Sequence, residues 1–433
     1  MRGLRTLIII LLTGIILSSC DICELTFLGP KEKTYDKVLV MYMAGVNDLS
    51  RWLLEDIDEL KQGDLPAKDD DKAIVIVCHH PVSYLKYDVK TNPCIIQLYK
   101  DKKGLPVLDT LSRLGEDDLL TQKEVMTRSL NYVAGAFKSD HYGLILSSHG
   151  SGWLPVDYFA HPDKYKVTTG GEGSAVAPHV VFPTGLIPFE EREVLPGPAV
   201  RSYAEERVKE GSVLYVHEMD IRDLAAALPF RFDYILMDVC YMGGIEVAYE
   251  MKDKAGYIGF SPTEILADGL VYTKITTHLL KNGDPDLKAV LDDYLECYQA
   301  QSGDYKSACY TLVDCSKLDI LAAACRTAFE DGRAAIAKVP YYKVQPLYRS
   351  SYHWFYDLKD ILDQAGVDTA AVGQALDQCV VHEIHTEAFM PHSGGFTFRT
   401  YCGFSMYLPN HGSAYLDEYY KTLAWNKATS LVQ

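Results

Sequence analysis

The chain has 433 residues, 48% of them hydrophobic and 23% charged, an ordinary globular composition with enough chain for one large core or two to three compact units. Its formal net charge is −17, or −19 once Arg2 and Arg5 are removed with a leader, and so acidic a surface argues against a nucleic-acid partner. Besides Cys20, which falls with the leader, ten cysteines remain and form no CxxC pair, which argues against a zinc ribbon.

Met1 to Arg5 gives a short basic start, and Thr6 to Leu17 is an almost unbroken apolar run. The run is too short for a comfortable bilayer span and fits the core of a signal peptide. It ends in Leu17-Ser18-Ser19-Cys20, which resembles a bacterial lipobox. Residues 1–20 are therefore expected to be a lipoprotein signal peptide, with Cys20 lipidated and N-terminal after cleavage. A tether over 21–35 follows, and the expected location is the cell envelope, anchored to a membrane through Cys20. A plain signal peptide with an accidental Cys20 is the competing reading.

Short β-type runs then alternate with helical ones. Val38–Ala44 reads as a buried strand, and Asn47–Lys61 as a helix with Leu49, Leu53, Leu54, Ile57 and Leu60 on one face and Asn47 as its N-cap. Ala73–Cys78 and Cys94–Tyr99 read as strands, and Thr121–Phe137 as a helix. Tyr142–Ser148 is a strand that runs into His149-Gly150; Phe232–Asp238 is another, ending at Val239-Cys240. Gly244–Lys252 reads as a helix and Gly256–Ser261 as a strand. The alternation predicts an α/β fold with a mostly parallel sheet flanked by helices, whose site lies beyond the carboxyl ends of its strands.

Between them, residues 154–216 hold seven of the 19 prolines and six glycines with little periodicity, and read as a long insertion on one connection. After residue 284 helical segments dominate, at 284–301, 316–337, 355–365, 369–379 and 413–427, with strand-like runs at Ser307–Val313 and Gly403–Leu408. The expected division is a catalytic domain over 36–283 and a helix-rich C-terminal part over 284–433.

His149 and Cys240 both fall just past strand ends. A thiol that attacks a peptide carbonyl needs an imidazole, a means of holding its thiolate, and donors for the oxyanion. His149 supplies the first. A helix starting near Gly243-Gly244 would present free amides and a positive dipole end to the sulfur. Gly150 leaves its own N–H unobstructed, so that with the N–H of Cys240 it could cradle the oxyanion. Taken alone, a cysteine or histidine at a strand end is more often structural than catalytic.

Five stretches, in order, resemble the clostripain family of cysteine peptidases: Val40–Leu49, Leu144–Trp153, Ile235–Ala248, Gly259–Tyr272 and Gly403–Pro409 with the later Trp425. The resemblance implies a caspase-like fold and an endopeptidase that cleaves after Arg or Lys, with His149 and Cys240 as a catalytic dyad and no third member. It implies peptide or protein substrates, no required cofactor, and leaves calcium open, since some relatives respond to it although no calcium loop is visible. Its preference for basic residues rests on acidic groups, which map to Asp238 and, on a weaker alignment, Asp268. The family's opening loop usually carries an acidic residue where this chain has Val46. The family often matures by cutting itself between the histidine and cysteine motifs, where this chain has Lys164, Lys166, Arg192, Arg201, Arg207 and Lys209.

The competing function is a catalytically inactive surface lipoprotein that binds peptides or host proteins through the same groove. His79-His80 ends a strand and reads as a surface pair; His382-Glu-Ile-His385 has metal-like spacing but lacks the zinc-peptidase arrangement; Gly150-Ser-Gly152 is not a nucleophile elbow.

Overall fold

The computed structural model describes residues 33–80, 91–156, 158, 185–189, 195–201, 206–349, 353–409 and 412–433. The expected leader 1–20, its lipidation residue Cys20, most of the tether, and the linker residues Lys164, Lys166 and Arg192 lie outside the described residues. Among the described residues, no helix is long and apolar enough to cross a membrane.

In chain order the elements begin with β1 (Lys37–Ala44), α1 (Ser50–Leu60), β2 (Lys72–His79), β3 (Cys94–Lys100), β4 (Pro106–Arg113), α2 (Lys123–Ala136) and β5 (Tyr142–Ser147). A small three-stranded sheet follows, from β6 (Leu186–Pro188), β7 (Glu206–Glu210) and β8 (Val213–His217). Then come α3 (Ile221–Ala227), β9 (Phe232–Asp238), α4 (Ile245–Met251), β10 (Ala255–Phe260), α5 (Tyr272–Leu279), α6 (Leu287–Gln299), β11 (Cys309–Asp314) and α7 (Leu318–Ile336). The C-terminal elements are β12 (Tyr356–Asp357), α8 (Leu358–Ala365), α9 (Ala370–Cys379), β13 (Val380–His385), β14 (Ala388–Phe389), β15 (Phe396–Thr397), β16 (Ser405–Met406), α10 (Ala414–Tyr420) and α11 (Ala424–Thr429).

Nine strands form one sheet in the order β13-β11-β10-β9-β5-β1-β2-β3-β4. The middle five, β10-β9-β5-β1-β2, run parallel, and the two outer strands on each side are joined through antiparallel pairings. The middle strands are the long apolar runs because both of their faces are covered: Val38 to Ala44 are all buried, as are Ala73 to Cys78. The order reverses at β1, with β2 on one side and β5 on the other, which opens a crevice at their carboxyl ends.

The structure departs from the sequence reading mostly at the periphery. Both edge strands, β4 and β13, are polar and half exposed, so neither carried the apolar run that marks a buried strand. β13 places His382 and His385 in a strand, where three-residue spacing puts them on opposite faces; His382 meets Asp292, and His385 packs on Phe398 and Tyr401. The segment from 284 shares the sheet with what precedes it, through β11 and β13. The insertion is not all loop, since it carries β6 to β8. The expected helix over 413–427 is broken into α10 and α11. In α1, Leu54 is 38% exposed, and the buried row of Leu53, Ile57 and Leu60 includes Asp56 instead. Asn47 accepts from the Leu49 amide ahead of the helix and does not cap it.

Candidate active site

The site is built on three neighbouring strand ends. Strands β5 and β9 pair in parallel with Ser147 opposite Asp238. Two residues further on, His149 and Cys240 leave the sheet side by side, and both are buried. The close approach requires glycine at position 150. A Cβ there would stand 2.2 Å from Val239 Cγ1 and 2.5 Å from the Cys240 carbonyl oxygen. Tyr241 follows the cysteine with a left-handed φ of 61°, and its ring packs against those of Tyr348 and Phe355.

The Cys240 sulfur accepts a hydrogen bond from the Ile265 amide at 3.0 Å. That corrects the expectation that the following helix would hold the thiolate. The Gly243 amide is committed to the Ser261 carbonyl, and α4 begins only at Ile245. The donor comes instead from the segment after β10.

The third strand end supplies a residue the sequence reading missed. Asp48, four residues past β1, bonds the Nε2 of His149 at 2.5 Å and Arg207 at 3.0 Å. Desolvation would raise the Asp48 carboxyl, but His149 and Arg207 hold it well below its ordinary range. An ionised Asp48 makes Nε2–H the donor and leaves Nδ1 as the nitrogen that exchanges protons. Asp48 stands to the imidazole as a third triad member would stand, two positions after Val46, where the family's acidic residue would be. Replacing Asp48 by Asn should lower kcat about 10- to 100-fold with little change in KM, and displace the pH profile of kcat, because the imidazole loses its orienting charge. A pH–rate profile identical to wild type would remove Asp48 from this role.

What fills the site is the chain's own linker. The Arg201 carbonyl accepts from the Gly150 amide at 3.3 Å and the Cys240 amide at 3.4 Å, the two donors the sequence reading named for the oxyanion. Its backbone pairs as an added strand. The Arg201 amide donates to Ile265 O and the Ala267 amide to Ala199 O, both at 2.9 Å, around an antiparallel bridge between Val200 and Leu266.

The Arg201 side chain is fully buried. Its Nη1 meets Asp238 at 3.0 Å and Ser147 Oγ at 2.5 Å, and its Nη2 meets both oxygens of Asp56, at 2.9 and 2.8 Å, and Ala267 O at 2.9 Å. Asp238 is further held by Tyr272 OH at 2.7 Å. Gly269, at φ 68°, closes the pocket, where a Cβ would stand 2.3 Å from the guanidinium. Burial raises both carboxyls above their ordinary values, and Arg201 works against that rise in each. Asp268, the other acidic residue expected here, is exposed at the turn, and the second carboxylate on the guanidinium is that of Asp56. An aspartate in the apolar row of α1 was the available signal for it.

Both arms of the linker are fastened. Upstream, Arg349 pairs with Glu264 and donates to Pro196 O. Downstream, the buried Glu206 meets His79 at 2.6 Å and the Thr121 amide at 2.8 Å. His79 is thus a buried anchor and not the surface residue its position at a strand end suggested.

The sequence profile of the Clostripain family matches residues 41–166 and 213–431. The chain belongs to the clostripain family of cysteine peptidases. An inactive zymogen C11 protease from Parabacteroides distasonis is 24% identical, with 92% of this chain and 98% of that chain covered and a TM-score of 0.68. A secreted C11 cysteine protease from Bacteroides thetaiotaomicron, solved with an irreversible peptide inhibitor, is 20% identical over 91% of this chain and 99% of that one, with a TM-score of 0.67. These likenesses show that the clostripain-family fold extends over nearly the whole chain. No curated protein matches it. Peptidases of this family need no cofactor in general, and among the described residues no group of three or more His, Cys, Asp or Glu could hold a metal.

Proposed function

We propose that this clostripain-family peptidase cuts after Arg or Lys with Cys240 as nucleophile and His149 as proton carrier, and that it first cuts itself, in cis, at the Arg201–Ser202 bond. The seat of Arg201 carries this reading. Its carbonyl lies between two amides, its guanidinium between two buried carboxylates, and its backbone on a strand edge, which are the three features a substrate residue before a cut requires.

The chemistry follows from these contacts. Cys240, as thiolate beside the Ile265 amide, attacks the Arg201 carbonyl carbon. The oxygen becomes an oxyanion bonded by the Gly150 and Cys240 amides. His149, protonated at Nδ1 and oriented by Asp48, gives its proton to the Ser202 nitrogen as the C–N bond breaks. Water, deprotonated by His149, then hydrolyses the acyl-enzyme and frees the thiolate. Release of the arm ending at Arg201 opens the same pocket to peptide substrates with a basic residue before the cut. Asp238 and Asp56 would both bind it, a planar Arg more completely than a Lys.

The test is to map the cut and measure turnover. Purified protein is expected to yield a fragment beginning at Ser202, at a first-order rate independent of protein concentration, while Arg201→Ala stays whole at that bond. A fragment beginning after Arg192 or Arg207 overturns the bond assignment. A fluorogenic panel is expected to report cleavage after Arg and Lys. Peptides bound without turnover would favour the inactive binding protein instead.

We propose in addition that the protein is lipid-anchored in the cell envelope through Cys20, on the strength of the Leu17–Cys20 motif. Labelling of cells with a fatty-acid analogue should tag the wild type, and a tag that survives Cys20→Ala would sink the anchor.

A further inference from the structure

Away from the active site, Cys78 and Cys94 stand directly opposite each other at the end of the antiparallel β2–β3 ladder. Directly opposed residues of such a pair have Cα atoms about 4.5–5.5 Å apart, inside the roughly 4.4–6.8 Å that a disulfide spans. Each thiol is the largest single influence on the other's titration. We propose that Cys78 and Cys94 are a redox-active pair that closes into a disulfide stapling β2 to β3. This goes beyond the proteolytic reading and does not rest on it.

The surroundings divide the roles of the two sulfurs. Cys94 keeps 8% of its surface exposed and Cys78 only 2%, so Cys94 is the one reached from solvent. Arg113 Nη1, from β4, donates to the Cys94 sulfur at 3.5 Å, and the positive side of His79 lies near. Cys78 is the largest influence holding the Cys94 thiol below its ordinary value, and Arg113 and His79 add to it against burial. The Cys78 thiol is pushed up by Cys94 and by its burial. One thiolate-prone sulfur nearer solvent and one protonated sulfur behind it is the division of labour of a dithiol that reacts by exchange.

The oxidant is an external disulfide, of low molecular weight or on a protein. The Cys94 thiolate attacks one of its sulfurs, forming a mixed disulfide and expelling one thiolate. Cys78 loses its proton, attacks the Cys94 sulfur and expels the second. Two chain thiols become one disulfide, and one external disulfide becomes two thiols. The bridge would close the connection between residues 78 and 94, restricting the unfolded chain more than the folded one.

The test uses the full chain as Cys240→Ala, which keeps it in one piece. The reduced protein is equilibrated with oxidised glutathione, quenched by alkylation and digested with trypsin without reduction. Peptides 73–86 and 91–100 are expected to appear cross-linked, and reductant to separate them. In Cys78→Ser, Cys94 should carry glutathione; in Cys94→Ser, Cys78 should stay free. The melting temperature should rise by a few degrees on oxidation, and the shift should vanish in the Cys78→Ala/Cys94→Ala double variant. Exposed Cys297 reports whether oxidant reached the protein. If Cys297 takes up glutathione while both peptides are recovered alkylated, or if either thiol is joined to a different cysteine, the pair is structural only and the proposal falls.

Discussion

If Cys240 is the nucleophile proposed above, replacing it by alanine is expected to lower peptide turnover by at least about 10⁴-fold and to leave the chain uncut, because no sulfur is then present to form the acyl-enzyme. The fold should survive. The thiol is one small buried group, and the amides that cradle the Arg201 carbonyl belong to the backbone, which the substitution keeps. Two measurements separate the alternatives. An arginyl fluorogenic peptide reads the chemistry, and a denaturing gel reads the cut. Residual turnover above about a hundredth of wild type would mean that another nucleophile does the work. A wild-type chain that remains as whole as the variant would remove self-cutting while leaving peptide cleavage to stand or fall by itself.

The second large effect is at the pocket floor. Asp238→Asn should lower kcat/KM for arginyl peptides roughly 30- to 4,000-fold, the range for removing one partner of a buried charge pair. Asp56→Asn should cost less in total yet narrow the preference for Arg over Lys, because Asp56 takes both of its hydrogen bonds from one terminal nitrogen of the guanidinium. Acidity should expose the same arrangement. Both carboxyls are raised by burial, and Arg201 pulls each back down, so emptying the pocket raises them further. A cation binds their ionised forms. Affinity for arginyl peptides is therefore full above the empty-pocket pKa and lost as pH falls through it, with an acid limb of kcat/KM above the ordinary carboxylate range. Asp238 also raises Asp56, so either Asp→Asn change should move that limb to lower pH. An acid limb that ignores both substitutions would take these carboxylates out of substrate recognition.

How much of this was legible depended on what a residue's neighbours along the chain reveal. The middle strands were readable because burial on both faces leaves uninterrupted apolar runs, as in Ile74 to Val77. His149, Gly150, Cys240 and Asp238 stood out because each sits within three residues of the end of such a strand. Asp48 and Asp56 were not, since an acidic residue at the start of a helix or in its apolar row acquires meaning only when a distant partner meets it. Asp56 still left a trace, as a carboxylate in line with Leu53 and Leu60. Arg201 was one of six basic residues in an aperiodic linker. Nothing local distinguishes it; the partners of its side chain come from β5, α1, β9 and the segment after β10. Asp268 misled for the converse reason, since a motif position does not say which way a turn points its side chain.

The order of strands has a consequence for the cut enzyme. The bond proposed to be cut lies between β5 and β9, and those two strands are neighbours in the sheet. The amino-terminal piece keeps β5-β1-β2-β3-β4 and the carboxyl-terminal piece keeps β9-β10-β11-β13, so one seam divides the sheet into two contiguous halves. Imidazole and thiol end up on separate polypeptides, joined by the hydrogen bonds and buried side chains of that seam. On the proposed cut the matured enzyme would be a heterodimer whose catalytic centre straddles its subunit boundary, and neither half alone would hold a complete one.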